Sequence, residues 1–233
     1  MMITSEVFLN NLCDVRVRIA NACEASGRSP DEVTLLPVTK SWPIEAARLA
    51  FSAGFFSVGE NRVMEALEKM ESATLEGHWE LIGHLQSNKV KFIPHKFCRV
   101  QSVDSLRILR RLNTAAENSN CILRVLLQVN AGKDPAKFGV LPEEACGFLE
   151  TALSCTQLKV EGFMTIAPLV ADDSSVARRC FESLRELRDR LSGLLDVELP
   201  ELSMGMSGDM EEAIRAGSTL VRVGSSLFGG RIQ

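Results

Sequence analysis

Short apolar runs alternate with longer amphipathic segments along most of this chain. Apolar runs bounded by glycine, proline or polar residues are typical of buried strands, whereas apolar residues spaced three and four apart indicate helices. The pattern predicts eight strands, at residues 33–39, 55–59, 79–83, 99–103, 125–130, 160–166, 202–206 and 220–224.

Amphipathic segments fill most of the intervals, and one precedes the first strand. Residues 5–26 form this first segment, which predicts a helix whose apolar face carries Phe8, Leu12, Val15, Ile19 and Ala20. The later helices have boundary signals in the sequence. Pro43 and Gly54 mark the two ends of one helix, and Asp104 is the predicted cap of the next. Pro142 opens a helix that runs through Leu153. Ser174 or Ser175 opens a long helix, whose apolar face carries Ala177, Phe181, Leu184, Leu187 and Leu191.

The alternation of strands and helices predicts parallel strands joined by right-handed crossovers. Eight strands in 233 residues favour a closed (β/α)₈ TIM barrel with an extra N-terminal helix, and a doubly wound open sheet is the alternative. Because the chain has no linker or low-complexity stretch, we expect one domain over residues 1–233.

Composition narrows the class of protein. Apolar residues make up 45% of the chain and the net charge is -4, so no global field favours nucleic acid or an anionic membrane. Seven cysteines without a Cys-x-x-Cys pair, and no signal-peptide pattern or apolar stretch long enough to span a bilayer, predict a cytoplasmic protein. The three histidines lack ligand spacing, so we expect no metal site.

Reactive side chains in a barrel collect where the strands end. Lys40 closes the first predicted strand, directly before the helix that begins at Pro43. A partly buried amine there loses hydration, which lowers its pKa and lets it condense with an aldehyde; a surface lysine in a loop is the alternative. Other predicted strand ends carry polar residues, among them Glu60, Asn61, His84, Asn130 and Thr165.

The last two strands end in small residues. Ser207 and Gly208 follow the seventh strand, and Gly224 and Ser225 follow the eighth. Small residues let backbone N–H groups approach a ligand, and a helix N-terminus adds positive potential, so these loops favour phosphate; a flexible turn is the alternative.

Arg222 lies within the eighth strand, between two valines. If these valines point outward, Arg222 points into the barrel and needs a partner there, either a ligand acceptor or an interior acid such as Glu60. A lysine, an inward arginine and a phosphate cup together suggest pyridoxal 5′-phosphate (PLP), with the aldehyde at Lys40.

The same residues carry a resemblance to a known family. The chain resembles the pyridoxal phosphate homeostasis proteins, which are similar to the N-terminal barrel of alanine racemase, the PLP-binding barrel of fold type III. The motifs that match, in order, are Pro-Val-Thr-Lys40, Gly59-Glu-Asn61, Leu81-Ile-Gly-His-Leu-Gln-Ser-Asn-Lys89, Gly162-Phe-Met-Thr-Ile166, Ser203-Met-Gly-Met-Ser207 and Val221-Arg-Val-Gly-Ser-Ser-Leu-Phe-Gly-Gly-Arg231.

The resemblance implies a role for each matching residue. It implies a covalent aldimine (Schiff base) of PLP on Lys40 and Arg222 at the pyridine nitrogen. It implies phosphate contacts from Ser207, Gly224 and Ser225, and it places Asn61 and Met204 near the ring. The chain departs from the family at Arg62, where the family usually has tyrosine, so any role of that tyrosine is lost or replaced.

The residues also bear on whether the protein is an enzyme. Racemisation on PLP usually needs two bases, and in alanine racemases the second is a tyrosine from another domain. This chain has no tyrosine, and nothing in its sequence requires His84 or a cysteine as a substitute.

The prediction is therefore a PLP carrier that buffers and delivers the cofactor to apo-enzymes in vitamin B6 homeostasis without catalytic turnover, as a monomer. The alternatives are a small-substrate racemase or related PLP enzyme, and a barrel that binds another phosphorylated metabolite.

Overall fold

Eight parallel strands form the centre of the protein in the computed structural model, which describes residues 3–168 and 173–229. The strands are β1 (Thr34–Pro37), β2 (Ser57–Glu60), β3 (His78–Leu81), β4 (Arg99–Val103), β5 (Leu123–Gln128), β6 (Leu158–Met164), β7 (Glu201–Met206) and β8 (Leu220–Val223). From β2 to β8 each strand pairs with the next one in the chain, and β1 pairs with β8. A bridge between Val38 and Gly59 joins the first two strands. The predicted barrel is confirmed, and the open-sheet alternative is wrong.

Helices surround the barrel. They are α1 (Ser5–Glu24), α2 (Ile44–Ser52), α3 (Val63–Ser72), α4 (Leu106–Asn118), α5 (Ala145–Leu153), α6 (Ser174–Leu195), α7 (Met210–Arg215) and α8 (Ser225–Phe228). The crossover from β3 to β4 contains only a 3₁₀ turn, Val90–Phe92, within the described residues. None of the helices in residues 3–168 and 173–229 is both long and apolar enough to cross a membrane.

The predicted helix boundaries hold with small corrections. Pro142 does not open α5, which begins three residues later at Ala145. Asp104 is not the cap of α4, because Ser105 takes that place and its hydroxyl accepts from the backbone of Ile108. The Asp104 carboxylate instead contacts His84. On α1, Ala20 is only partly buried, and Ala22 and Cys23 complete the buried face.

Residues alternate between the barrel interior and the helical layer along each strand. On β8, Val221 and Val223 belong to the large apolar cluster that joins strands and helices, whereas Leu220 packs inside the barrel with Leu36, Val38 and Ile82. Arg222 follows the same alternation as Leu220 and therefore points inward, as the flanking valines predicted.

Charged side chains occupy the amino-terminal end of the barrel. Arg99 donates to Glu80 at 2.7 Å and forms further ion pairs with Glu161 and Glu201 at 3.4 Å. Arg124 donates to Glu161 at 2.7 Å. Four residues of this amino-terminal network, Glu80, Arg99, Arg124 and Glu201, line a cavity of about 700 Å³ at the face opposite the carboxyl ends of the strands.

Candidate functional site

A cavity of about 530 Å³ lies at the carboxyl ends of the strands. It contains five of the seven residues that the sequence proposed for the site. The lining residues are Val38, Lys40, Trp42, Ile82, Met206, Ser207, Gly208, Arg222, Gly224, Ser225 and Gly229. Residues from both ends of the sequence meet here because β1 pairs with β8, so Lys40 lies next to the last loops of the chain.

Strand alternation explains how Lys40 enters the cavity. Leu36 and Val38 point into the barrel, and Lys40 continues that series while Thr39 points the other way. Lys40 is half-buried. The chain then turns sharply, since Ser41 adopts a left-handed conformation with φ of 63°, which is uncommon for a residue other than glycine.

A buried cluster lies behind Lys40, outside the barrel wall. The ammonium of Lys69 on α3 donates to the Glu60 carboxylate at 2.6 Å, to the Thr39 carbonyl at 2.8 Å and to Glu65 at 3.1 Å. Glu65 also accepts from the backbone N–H of Ser41 at 2.5 Å. The two residues that flank Lys40 in the chain are therefore both held by this cluster.

Arg222 is only 4% exposed and has neutral partners. Its guanidinium donates to the Ser203 hydroxyl at 2.6 Å and to the Thr165 carbonyl at 2.9 Å. Within residues 3–168 and 173–229 no carboxylate forms an ion pair with it, and Glu60, the interior acid considered from the sequence, pairs with Lys69 instead. Burial lowers the pKa of Arg222 to about 10, so the side chain is cationic at neutral pH.

The loops after β7 and β8 contact each other at the cavity rim. The backbone N–H of Ser226 donates to the Ser207 hydroxyl at 3.3 Å. Gly224 packs so closely on β1 that a Cβ atom there would lie 3.1 Å from the Val38 carbonyl oxygen. Two hydroxyl residues, Ser207 and Ser225, thus line one side of the cavity beside Gly208 and Gly224, a combination suited to binding phosphate.

Arg18 on α1 joins these two loops from outside, which the sequence did not reveal. Its guanidinium donates to the Ser207 carbonyl at 3.0 Å and to the Ser226 hydroxyl at 3.4 Å, and it pairs with Glu211 at 2.6 Å. The N-terminal helix therefore supports the rim as well as the core. An arginine on the polar face of an amphipathic helix gives no signal of such a contact before the fold is known.

Asn61 and Met204 are the two proposed residues that do not line the cavity. Asn61 lies against Gly83, where a Cβ atom would come within 2.6 Å of its side chain. Met204 is fully buried in the apolar cluster of strands and helices, while the neighbouring Ser203 points inward.

The resemblance implied that Met204 lies near the ring, whereas Met206 is the methionine that lines the cavity. Met206 lies three positions after Ser203, so simple alternation would point the two side chains to opposite faces of the strand, yet Met206 lines the cavity. The register of β7 against β8 shifts between Ser203 and Met206, and Gly205 within that stretch has φ of 92°. This irregularity breaks the simple alternation, and the sequence motif alone did not reveal it.

His84 lies outside the cavity lining. Its ring stacks on Phe138 with centroids 4.0 Å apart, and Nδ1 is 2.7 Å from the Asp104 carboxylate. The last residues of the C-terminal motif, Gly230 and Arg231, lie outside the described residues.

Several residues at the site were not predicted from the sequence. Trp42 and Ile82 supply apolar walls, and Lys69 supplies the support behind Lys40. A signal for Lys69 was present, because it lies on the buried face of α3 with Val63 and Ala66. A lysine at such a position needs buried partners.

Comparisons with known proteins agree with this geometry. The family model of the alanine racemase N-terminal domain matches residues 17–232. The pyridoxal phosphate homeostasis protein of Aquifex aeolicus (strain VF5) is 41% identical over 226 residues, which is 95% of this chain and 99% of the relative. The chain belongs to the family of pyridoxal phosphate homeostasis proteins.

Solved structures extend the comparison. PipY of Synechococcus elongatus PCC7942, solved with PLP bound, is 33% identical with a TM-score of 0.79, and the match covers 91% of this chain and 100% of PipY. Alanine racemase from Clostridium difficile 630 has a TM-score of 0.78 at 16% identity, covering 98% of this chain and 58% of the racemase. This last likeness shows a shared barrel fold.

Proposed function

We propose that this protein binds PLP reversibly, buffers it and delivers it to other proteins, and so maintains intracellular vitamin B6, without catalytic turnover of its own. The observation that carries the proposal is the single cavity in which Lys40, Arg222 and the Ser207 and Ser225 loops meet. The family supports it, because its curated relatives are named for PLP homeostasis and PipY was solved with PLP bound.

Lys40 forms the covalent link in this proposal. Its amine attacks the PLP aldehyde, a C=N bond replaces the C=O bond, and water leaves, which gives an aldimine. The link is reversible because a second amine can displace Lys40 by the same chemistry. That second amine is a lysine of the recipient apo-enzyme, which explains how a carrier could hand over its cargo.

The remaining lining residues fix the orientation of the cargo. Ser207, Gly224 and Ser225 bind its phosphate, at the side of the cavity formed by the last two loops. Arg222 donates to the pyridine nitrogen. Arginine is only a donor and stays charged, so that nitrogen remains an unprotonated acceptor and the ring is a weak electron sink. The fit of a lysine, an arginine and a hydroxyl-lined rim into about 530 Å³ supports this assignment.

The absence of a second base favours a carrier over a racemase. The chain has no tyrosine, and among the described lining residues only Lys40 and Arg222 have titratable side chains. His84 is held by Asp104 and Phe138 outside that lining. A carrier also needs no second domain, and we propose that the protein acts as a cytoplasmic monomer.

The proposal is tested by adding PLP to the purified protein, recording the visible absorbance band, reducing with borohydride and mapping the modified peptide by mass. We expect a band in the wild type and one modified lysine, Lys40. Lys40→Ala should lose both, whereas Lys133→Ala, a matched change in another loop at the same end of the barrel, should keep both. A modified lysine elsewhere, or no modification, contradicts the assignment.

The racemase alternative has its own measurement. Purified protein loaded with PLP is incubated with L- and D-alanine, and the enantiomers are separated over time. We expect no interconversion above a Lys40→Ala control. Sustained turnover that depends on Lys40 would establish an enzyme instead of a carrier.

A further inference from the structure

The buried cluster of Lys69, Glu60 and Glu65 touches the backbone on both sides of Lys40. The Thr39 carbonyl accepts from Lys69 at 2.8 Å, and the Ser41 N–H donates to Glu65 at 2.5 Å. Because Lys40 lies between these two anchors, its backbone position depends on a cluster that its own side chain faces away from.

Strand alternation puts this cluster outside the barrel. Gly59 faces the interior, since a Cβ atom there would lie 3.2 Å from Leu36 and 3.3 Å from Ile82. Glu60 therefore faces the helical layer, where it meets Lys69 and accepts from the Thr39 hydroxyl at 2.6 Å. The cluster thus supports the wall of the cavity without lining it.

The free-energy cost of burying these charges argues that the cluster does more than stabilise the fold. Lys69 is 8% exposed and Glu60 is fully buried, so both charges have lost most of their hydration. A buried ion pair is often no more stabilising than apolar residues of the same volume. In addition, one oxygen of Glu60, Oε2, has no hydrogen-bond partner in the described part of the chain. Apolar packing of α3 on β2 would have avoided both costs.

The strained turn after Lys40 is a second observation that fits a positioning role. Ser41 has φ of 63°, a left-handed conformation that is strained for a residue other than glycine. Such a conformation persists only where surrounding contacts hold it, and the Glu65 contact to the Ser41 N–H is such a contact. Trp42, which directly follows this turn, lines the cavity.

We propose that Lys69 and Glu65 are positioning residues, which hold the backbone at Thr39 and Ser41 so that the Lys40 amine meets an aldehyde in the cavity. This inference rests on the proposed function, in which Lys40 captures PLP. Small displacements of a reacting group cost large factors in rate, up to about a hundredfold for about 1 Å. The cluster should therefore control how fast Lys40 reacts more than whether the protein folds.

Three substitutions on α3 separate positioning from general helix stability. Glu65→Ala removes the acceptor for Ser41, whereas Glu65→Gln keeps an oxygen that can accept the same hydrogen bond. Glu68→Ala is the matched control, because it makes the same Glu-to-Ala change at an exposed site one turn further along α3.

Two measurements are made on each variant. Hydrogen exchange of the Ser41 amide, in protein without PLP, reports directly on the Glu65 contact. Stopped-flow absorbance after mixing with PLP reports the rate of capture by Lys40. We expect Glu65→Ala to lose protection at Ser41 and to slow capture about tenfold, with Glu65→Gln within about twofold of wild type and Glu68→Ala unchanged.

Lys69→Met is the stronger test, since it releases Thr39, Glu60 and Glu65 together, and it should slow capture further than Glu65→Ala. If Lys69→Met does not fold, the Glu65 pair decides the question by itself. The proposal is overturned if Glu65→Ala loses protection at Ser41 yet captures PLP at the wild-type rate, or if Glu68→Ala slows capture equally.

Failure of the function and failure of the inference give different results. If wild-type protein captures no PLP at Lys40, the proposed function is wrong, and no variant is needed to show it. If wild type captures PLP and every variant does so at the same rate, only the positioning role is wrong.

Discussion

The two ends of the barrel each carry a cavity with buried charges, but the charges are satisfied in different ways. At the amino-terminal end, Arg99 is surrounded by three carboxylates, those of Glu80, Glu161 and Glu201. At the carboxyl end, Arg222 donates to a hydroxyl and a carbonyl, and no ion pair to it occurs among the described residues.

This difference separates a structural charge from one available to a ligand. Opposite charges at the amino-terminal end neutralise each other, so a ligand would have to break ion pairs to bind there. The guanidinium of Arg222 forms no ion pair among the described residues, and it faces a cavity whose lining includes hydroxyl and glycine residues. Cavity size does not make the distinction, because the amino-terminal cavity is the larger of the two, at about 700 Å³ against about 530 Å³.

One chain of hydrogen bonds runs between the two ends. Arg222 donates to Ser203, Ser203 donates to Gln101 at 2.6 Å, and Gln101 donates to Glu80 at 2.7 Å, where Arg99 also binds. Every donor in this chain points away from the carboxyl end. Two neutral side chains, Ser203 and Gln101, therefore connect Arg222 to the Glu80 carboxylate, although no carboxylate touches Arg222.

The largest effect should follow from breaking the amino-terminal network. Arg99→Met leaves three carboxylates without their shared cation, and removing one member of a buried ion pair costs about 3–5 kcal/mol. We expect urea unfolding to show a loss of that order, with PLP capture unchanged in the fraction that remains folded. Arg124→Met is the control: this side chain is 40% exposed, so its loss should cost about 1 kcal/mol or less. Equal losses in the two variants would contradict the comparison.

Arg222→Met should affect PLP binding more than it affects stability, the reverse of Arg99→Met. It removes the donor to the Ser203 hydroxyl and to the Thr165 carbonyl but breaks no ion pair, so we expect a loss of about 1–3 kcal/mol in the free energy of unfolding. The larger change should be a weaker and spectrally shifted PLP complex, measured by absorbance titration. If Arg222→Met destabilises the protein more than Arg99→Met does, the distinction between the two ends fails.

Much of this contrast could be predicted from the sequence, and the reasons are physical. Period-two alternation placed Arg222 inside the barrel, and the strand count placed Lys40 beside the last two loops. Neither inference needs atomic detail, because both follow from the barrel geometry.

Other features depended on contacts that sequence does not encode locally. Met206 replaced Met204 in the cavity because β7 changes register near Gly205. Lys69 binds Glu60 and Thr39, and Thr39 lies 30 residues away in the chain. A register irregularity or a hydrogen bond between distant residues emerges only when neighbouring elements pack, so residue type and spacing could not identify the partners of Lys69 or the shift in β7.

The smallest effects concern the pH dependence of folding stability. We expect this dependence to have opposite signs for a carboxylate at each end of the barrel. At the amino-terminal end, burial raises the pKa of Glu201 although Arg99 opposes the shift. The folded state then binds this proton more tightly than the unfolded state does. The Glu201 contribution to stability is therefore greatest at low pH and falls as the pH rises from the unfolded pKa of about 4.3 through the folded value.

Near the carboxyl end, Glu211 behaves in the opposite way. Burial is the largest single influence and would raise the pKa of Glu211. The hydrogen bonds and positive charges around the carboxylate, those of Arg18 foremost, together outweigh burial, and the pKa is lowered. The contribution of Glu211 to stability is present above the unfolded pKa and is lost as the pH falls through the folded value.

Melting temperatures of Glu201→Gln and Glu211→Gln between pH 4 and pH 7 measure both effects. Relative to wild type, Glu201→Gln should gain stability as the pH rises and Glu211→Gln should lose it. Slopes of the same sign would show that the carboxylates at the two ends are not held in different ways.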